Sequence, residues 1–404
     1  MSAGRRALLL PLVLATMASQ ALLVVLSPTV VAIGDDLGAS VAAVGQARSV
    51  TAVVAIAASA AITGRIGLIG VPRLLVVGSI IALVACGAVA SAQDLWTFLA
   101  AHVLVGVGFA CLVSGGFAGV AAFAPGERAW AIGYVAGANA LAWILVNPVV
   151  GVLTDRFSWR AAEAVPAAVA GAALLAARNA APVPGGRAAP RLRGVLADVS
   201  ARRWIGAELI AYGAWTGLLT FVGAFFIDTF DVSAGTAGWL LAAGAAAYFV
   251  ASTRSGALVA RFPRRFLVAA SAVVMAALLP LLLGDSRSVV VAAIIFCLVG
   301  MTAGVRTPAS SSLGLVQIPE HPGTMMAART GATQLGYLLG AALGGVVIAA
   351  AGYAALSVVL AAGMVGSALL VLRVRDPGED AVAAPEPAMP EGLSLGHGRE
   401  RRGG

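Results

Sequence analysis

In this 404-residue chain the residues able to do chemistry are few, and their types do not suit an enzyme. All 26 basic residues are arginine. Without lysine there is no Walker-type phosphate loop, no Schiff-base amine and no Ser–Lys dyad. His102, His321 and His397 are too far apart for an HExxH zinc site, and no GxSxG nucleophile elbow occurs. Cys86, Cys111 and Cys297 fall in apolar stretches and read as small packing residues, not as a disulfide or metal set. No catalytic activity, cofactor or metal is expected.

What remains is a set of ionisable groups in or beside apolar stretches. A charge in hydrocarbon is costly, so His102, Glu208, Arg48 and Asp36 are each candidates for handling a proton. His102 lies on the order of 10 Å below one surface. Its imidazole can change charge in the physiological range, or it is a neutral side chain bonded to a neighbouring helix. Glu208 is either a buried proton site or a carboxylate reaching the interface beside Arg202 and Arg203, and the second reading is favoured. Arg48 is expected close to Asp35 and Asp36, as a gate or as a solvated pair at a helix end. Arg254, Arg306 and Arg329 sit near stretch ends and read as markers of membrane side.

A second set is polar or aromatic at mid-stretch: Gln20, Asn139, Trp143, Tyr212, Trp215, Gln334 and Tyr337. Asn139/Trp143 are spaced i,i+4, and Tyr212/Trp215 and Gln334/Tyr337 i,i+3, so each pair shares a helix face. Aromatic walls with a few amides suit a bulky, largely apolar solute, whereas a sugar site needs more hydrogen-bonding side chains. Helix packing accounts for any single one of these residues equally well.

The elements that position them follow from composition. Apolar residues make up 60% of the chain and charged residues 11%. A soluble domain carries about 25% charged residues, so soluble and disordered classes are both excluded. Twelve stretches long enough to cross a bilayer are expected at 7–33, 41–63, 73–93, 95–118, 129–153, 160–177, 204–227, 236–259, 265–284, 287–309, 324–351 and 353–373. With the N-terminus inside, loop arginines divide roughly twenty to three in favour of the cytoplasmic side. Outer loops carry Asp35, Asp36, Asp94, Asp155, Asp228, Asp231 and Asp285 instead. The net charge of +8 is therefore membrane topology and not a nucleic-acid face. Both termini are expected in the cytoplasm. The Pro/Gly/Arg-rich segment 178–203 separates an N-terminal six-helix bundle (1–177) from a second bundle (204–375), and the Pro/Glu-rich tail 376–404 is expected to be disordered.

The halves look alike. The chain reads TGRIGLIGVPR at 63–73, after the second stretch, and GALVARFPRR at 256–265, after the eighth. Both are short turns with glycine at the start and basic residues at the surface. A duplicated six-helix unit fits a carrier with its solute between the halves.

On these residues the chain resembles the major facilitator superfamily from about 8 to 374. The family loop G-x-x-x-D-R-x-G-R-R is matched at Gly256, Arg261, Arg264 and Arg265, with Ala260 in place of the Asp and Pro263 in place of the second Gly. In that family the Asp helps latch two helices, so its absence bears on the latch. Asn147-Pro148…Gly151 is similar to the G-P-x-x-G-G motif of the twelve-helix drug/proton antiporters, and Ser158-Trp159-Arg160 to their S/G-W-R-W signature. His102 stands where the family carries an Arg, which is what the resemblance contributes to its candidacy. The first stretch lacks the mid-span acid several relatives have, which weakens proton antiport.

The resemblance implies an all-α membrane protein, twelve transmembrane helices in two pseudo-symmetric six-helix bundles. It also implies a monomer in a bacterial inner membrane that uses protons to export a small hydrophobic drug or metabolite by alternating access. A sugar, amino-acid or metabolite facilitator or symporter is the alternative. Pro148 is expected to bend the fifth stretch. Two glycine series are expected to form the surfaces on which the halves rock: Gly106, Gly108, Gly115 and Gly119, and Gly336, Gly340, Gly344 and Gly345.

Overall fold

A computed structural model describes residues 3–63, 65–124, 127–181, 197–284, 286–318 and 322–376. Expectations for Asp285, His321, His397, the linker arginines Arg187, Arg191 and Arg193 and the tail beyond 376 lie outside these residues. The described chain is helical, with no strand. Span one is Ala3–Val24 continued by Leu26–Leu37, and span two is Val41–Thr63. Spans three to five are Val71–Ala90, Leu95–Ala118 and Arg128–Arg156. Span six is Trp159–Ala162 plus Ala164–Ala177. Spans seven to ten are Val199–Phe230, Ala234–Arg261, Arg264–Leu283 and Val289–Leu315.

The last helix, Pro322–Val371, runs for 50 residues but contains Gly352 at φ 75° and ψ −172°. A single straight helix of that length would measure about 75 Å, more than twice the hydrocarbon thickness. Gly352 therefore turns the chain between spans eleven and twelve, a conformation open to glycine and strained for other residues. The total is twelve spans, as expected from the sequence.

Backbone polarity explains the uniformity. In lipid every peptide group must find its partner within the helix, so the apolar stretches have little alternative. The ends are fixed by short polar caps. Asp94 accepts from the Trp96 and Thr97 amides while Thr97 reciprocates. Those bonds, from Thr97 first, hold the Asp94 carboxyl below its ordinary range. Ser158, Ser233 and Ser288 cap spans six, eight and ten in the same way.

With an even number of spans, the start of span one and the end of span twelve lie on one face, here called the termini face, opposite a far face. Each half builds its own core, and equivalent helices pair in both: one with five and seven with eleven, two with four and eight with ten. Between halves, two meets eleven and five meets eight, contacts that exchange under the pseudo-twofold. The large exposed side chains of the spans, among them Trp239, Val290 and Val346, belong to the lipid-facing surface expected of such a bundle.

Candidate functional site

Five of the mid-stretch residues chosen from the sequence, Gln20, Trp143, Tyr212, Gln334 and Tyr337, come together at a seam between the halves. From span five, Trp143 donates through Nε1 to Gln20 Oε1 of span one at 3.4 Å. The Arg48 guanidinium of span two lies 5.9 Å from the centre of the Trp143 ring. Arg48 also donates through Nη2 to the Leu23 carbonyl at 2.8 Å. That carbonyl lies where span one breaks, at Val25, just before Pro28, whose ring cannot continue the helical ladder. Arg48 is only 6% exposed. It lines a narrow pocket with Leu23, Thr51, Phe109, Gln334 and Tyr337, so spans two and eleven face each other there.

The seam continues into the second half. Tyr337 and Tyr212 have ring centres 5.9 Å apart. Tyr212 accepts at its hydroxyl from Arg329 Nη2 at 2.9 Å. Arg329 Nε donates to Glu208 Oε2 at 2.6 Å, and Arg306 Nη2 to Glu208 Oε1 at 2.9 Å. Ser310 donates to the same Oε1 at 2.9 Å and is itself held by Trp204. Arg306 further donates to Ser367 Oγ at 3.3 Å. A second pocket, lined by Tyr212, Trp215, Arg306 and Thr307, lies within the second half, and Trp215 stacks on Tyr248 at 6.3 Å.

Several sequence readings change here. Glu208 does not reach the interface: it is fully buried between two arginines, about 14 Å along span seven from its start. Arg306 and Arg329 are its partners, not surface markers. Arg48 is not beside Asp36, whose carboxylate is taken by Arg160 at 2.5 Å and by Trp159 at 3.2 Å. Arg160 also donates to the Ala92 carbonyl and stacks on Trp159. Ser158-Trp159-Arg160 is thus a clasp within the first half at the far face. His102 is buried and bonds through Nδ1 with the Phe98 carbonyl of its own helix at 2.8 Å, not with a neighbouring helix. Asn139 has a buried Oδ1 with no partner.

The halves are closed at the far face. Asp155, ending span five, accepts from the amides of Ala234 and Gly235 that open span eight, at 2.9 and 2.7 Å. A carboxylate of one half thus caps a helix of the other, where amides are unpaired and the dipole is favourable. Ser27 donates to the Leu219 carbonyl at 2.5 Å, and Gln46 to the Ala342 carbonyl at 3.5 Å. A Cβ built on Gly151 would strike the Ala234 carbonyl, and one on Gly238 the Asn147 carbonyl. Asn147 Nδ2 in turn bonds the Trp143 carbonyl at 2.7 Å, one residue before Pro148.

Towards the termini face the halves part. Gly256 lies about five helical turns from Gly238 on the same face of span eight. A Cβ there would meet nothing within 4 Å. The same holds for Gly133 and Gly137 of span five and Gly331 of span eleven. Of the glycines expected to carry the rocking surface, Gly106, Gly108, Gly115 and Gly119 pack within the first half, and Gly336, Gly340 and Gly344 within the second. Gly345 does face the other half, at Gln46 and Ala42. The sequence shows where small residues recur but not which neighbour they admit.

A family model of the Major Facilitator Superfamily matches residues 12–205 and again residues 204–402. The chain belongs to the major facilitator superfamily. It is a multi-pass membrane transporter and not an enzyme. Solved structures of the superfamily share its fold. A human organic anion transporter, MFSD10, aligns at 16% identity and TM-score 0.69, covering 92% of this chain and 100% of that one. The nucleoside transporter NupG aligns at 12% and 0.74, covering 91% and 98%. A D-xylose–proton symporter aligns at 14% and 0.73, covering 91% and 97%. No curated protein sequence matches the chain significantly.

The superfamily loop at 256–265 keeps its arginines but takes a carboxylate from elsewhere. Asp376, just beyond span twelve, accepts from the Arg265 amide at 3.1 Å and pairs with Arg264 at 3.5 Å. Arg265 adds a bond to the Val374 carbonyl, and Arg261 lies 5.9 Å from the Phe262 ring centre. Asp376 thus serves the start of span nine, where an anion also suits the helix dipole. Replacing Asp376 with Ala is expected to lower stability by about 1–3 kcal/mol, since the partly buried Arg264 guanidinium and the Arg265 amide lose their buried acceptor. Thermal unfolding of the purified protein checks this, and Asp376→Asn should lose less.

Sequence reasoning missed Thr307, which lines the second pocket, Tyr248, which bonds Thr307 and stacks on Trp215, and Glu163, buried beside Cys86 between spans three and six. Glu163 was legible as a lone acid inside a span. Thr307 had no signal distinguishing it from a packing residue.

Proposed function

We propose that this superfamily member is a secondary active transporter that uses a proton gradient to export a small, largely apolar compound from the bacterial cytoplasm across the inner membrane. The observation that supports this most is the aromatic and arginine-lined seam, sealed at the far face and open towards the termini face. With the termini in the cytoplasm, that is a path waiting for solute from inside. The cycle then breaks the Asp155 cap, parts spans five and eight, and brings the termini-side surfaces together, the monomer working alone.

Glu208 is the favoured proton site. Adding a proton to its carboxylate removes the charge that both Arg306 and Arg329 hold, and leaves Arg329 held by Tyr212 alone and free to swing into the seam. His102 is the second candidate, and Asp36 the least favoured because its pair lies at the surface. The arrangement also admits a metabolite facilitator or symporter, for one observation: the seam's one carboxylate among the described residues is already engaged. The named relatives, which include a nucleoside transporter and a D-xylose–proton symporter, belong to that range.

Reconstituted vesicles with an imposed pH difference separate the readings. Uphill movement of apolar dyes or antibiotics, whether cationic, neutral or anionic, is the expected result. Movement that only equilibrates assigns the protein to the facilitators. No movement of any compound in the panel, nor of sugars or amino acids, removes the transport reading for this seam.

A further inference from the structure

The pocket at Arg48 has more positive charge and more hydrogen-bonding capacity than the protein uses. Arg48 is nine-tenths buried, yet its Nε has no hydrogen-bond partner. No carboxylate pairs with it among the described residues: Asp36 is held by Arg160, and Glu208 by Arg306 and Arg329. Thr51, lining the same pocket, has a buried Oγ1 that is also without a partner. Across the pocket stand Gln334 and Tyr337, and the Trp143 face lies beside the guanidinium. A second pocket, inside the second half, repeats the feature, since Arg306 Nε is buried and unpartnered there as well. Arg48 thus stands at the seam with no carboxylate of its own, while Glu208 is engaged by Arg306 and Arg329.

A buried arginine with an idle N–H is expensive unless something completes it. Water completes it weakly. An anion does so strongly, because charge-assisted bonds from a planar guanidinium are short and directional. The surrounding rings offer the rest of the solute an apolar, flat contact. We propose that Arg48, with Thr51, anchors an anionic group, namely a carboxylate, sulfonate or phosphate ester, on an otherwise apolar, ring-bearing solute. This rests on the seam being the transport path and names the class of cargo. A cationic solute has no partner there, since no carboxylate lines the pocket and the Arg48 guanidinium repels it.

The test compares three labelled probes of one shape: 1-naphthoate, its neutral amide 1-naphthamide, and the cation 1-naphthylmethylammonium. Binding is measured on the full-length protein in uncharged detergent without anionic lipid, so that no headgroup competes. The expected result is naphthoate binding about tenfold or more tighter than the amide, the ratio that a charge-assisted bond supports. Arg48→Gln should bring naphthoate down to the amide's affinity and leave the amide's own unchanged, a split that a purely structural role would not give. If Arg48→Gln does not fold, Thr51→Val serves in its place and should weaken naphthoate selectively. Equal affinity for the three probes, a preference for the cation, no saturable naphthoate binding, or an anion preference that survives both variants overturns the proposal. Vesicle flux keeps the two readings apart. If the amide or the cation is carried while naphthoate has no advantage, transport stands and the anion site falls. If naphthoate binds through Arg48 but no probe is carried, the site stands and transport falls.

Discussion

Replacing Glu208 with Gln is expected to abolish transport and to cost about 3–5 kcal/mol of stability, the loss typical when one member of a buried ion pair is removed. Glu208 is fully buried and holds Arg306 at 2.9 Å and Arg329 at 2.6 Å. Glutamine keeps the shape and can still accept from Ser310, but it leaves two guanidiniums without a counter-charge. The stability part is read by thermal unfolding of the purified protein, and transport by vesicle uptake. A triple variant, Glu208→Gln with Arg306→Met and Arg329→Met, separates architecture from function. Apolar replacement of a whole buried charge cluster is often neutral, so stability should return. Transport should not, because the group that takes the proton and the arginines that sense it are gone. Transport recovered in the triple variant would limit the cluster to holding spans seven, ten and eleven together.

Replacing Gly238 with Val should have a comparably large effect by a different route. A Cβ at this position already collides with the Asn147 carbonyl across the far-face seal. Overpacking of this kind costs about 1–3 kcal/mol, and only the sealed state bears the cost. The balance between sealed and unsealed states should therefore move about tenfold or more. Ser27, fully buried in the same seal, is the reporter. In a chain with Cys86, Cys111 and Cys297 replaced, Ser27→Cys should be alkylated slowly by a membrane-impermeant maleimide added from the far side. Adding Gly238→Val should raise that rate about tenfold and suppress transport, as the path no longer closes on that side. Gly256→Val, on the open stretch of the same helix face, should leave the alkylation rate unchanged.

The twelve spans were legible because hydrophobic length is a local property. Even the turn at Gly352 fell between the expected stretches 324–351 and 353–373. The seam was legible in outline, since polar and aromatic residues at mid-depth have little reason to face lipid. Glu208 was misread because span seven was taken to start at 204, which put the carboxylate one turn from the interface. The helix begins at Val199 and carries Arg202 and Arg203 in its first turns, so Glu208 lies deeper. Arg306 was misplaced by a similar error, as span ten continues to Leu315. That these charges find one another depends on the packing of spans seven, ten and eleven, which no local pattern encodes. Arg48 and Asp36 failed in the opposite sense: their proximity was inferred from sequence distance, and Arg160, 124 positions further on, claims the carboxylate.

The Asp376 contact also bears on how the protein can be handled. Because a side chain just past the last helix fastens the opening of the ninth, the exit of the tail is a mechanical part of the second half. A purification handle or fluorescent fusion joined at 375 would cut away that fastening and leave Arg264 and Arg265 without it. A reporter joined well beyond it leaves the joint whole, and a partner that tugs on the tail would be felt first at the loop between spans eight and nine.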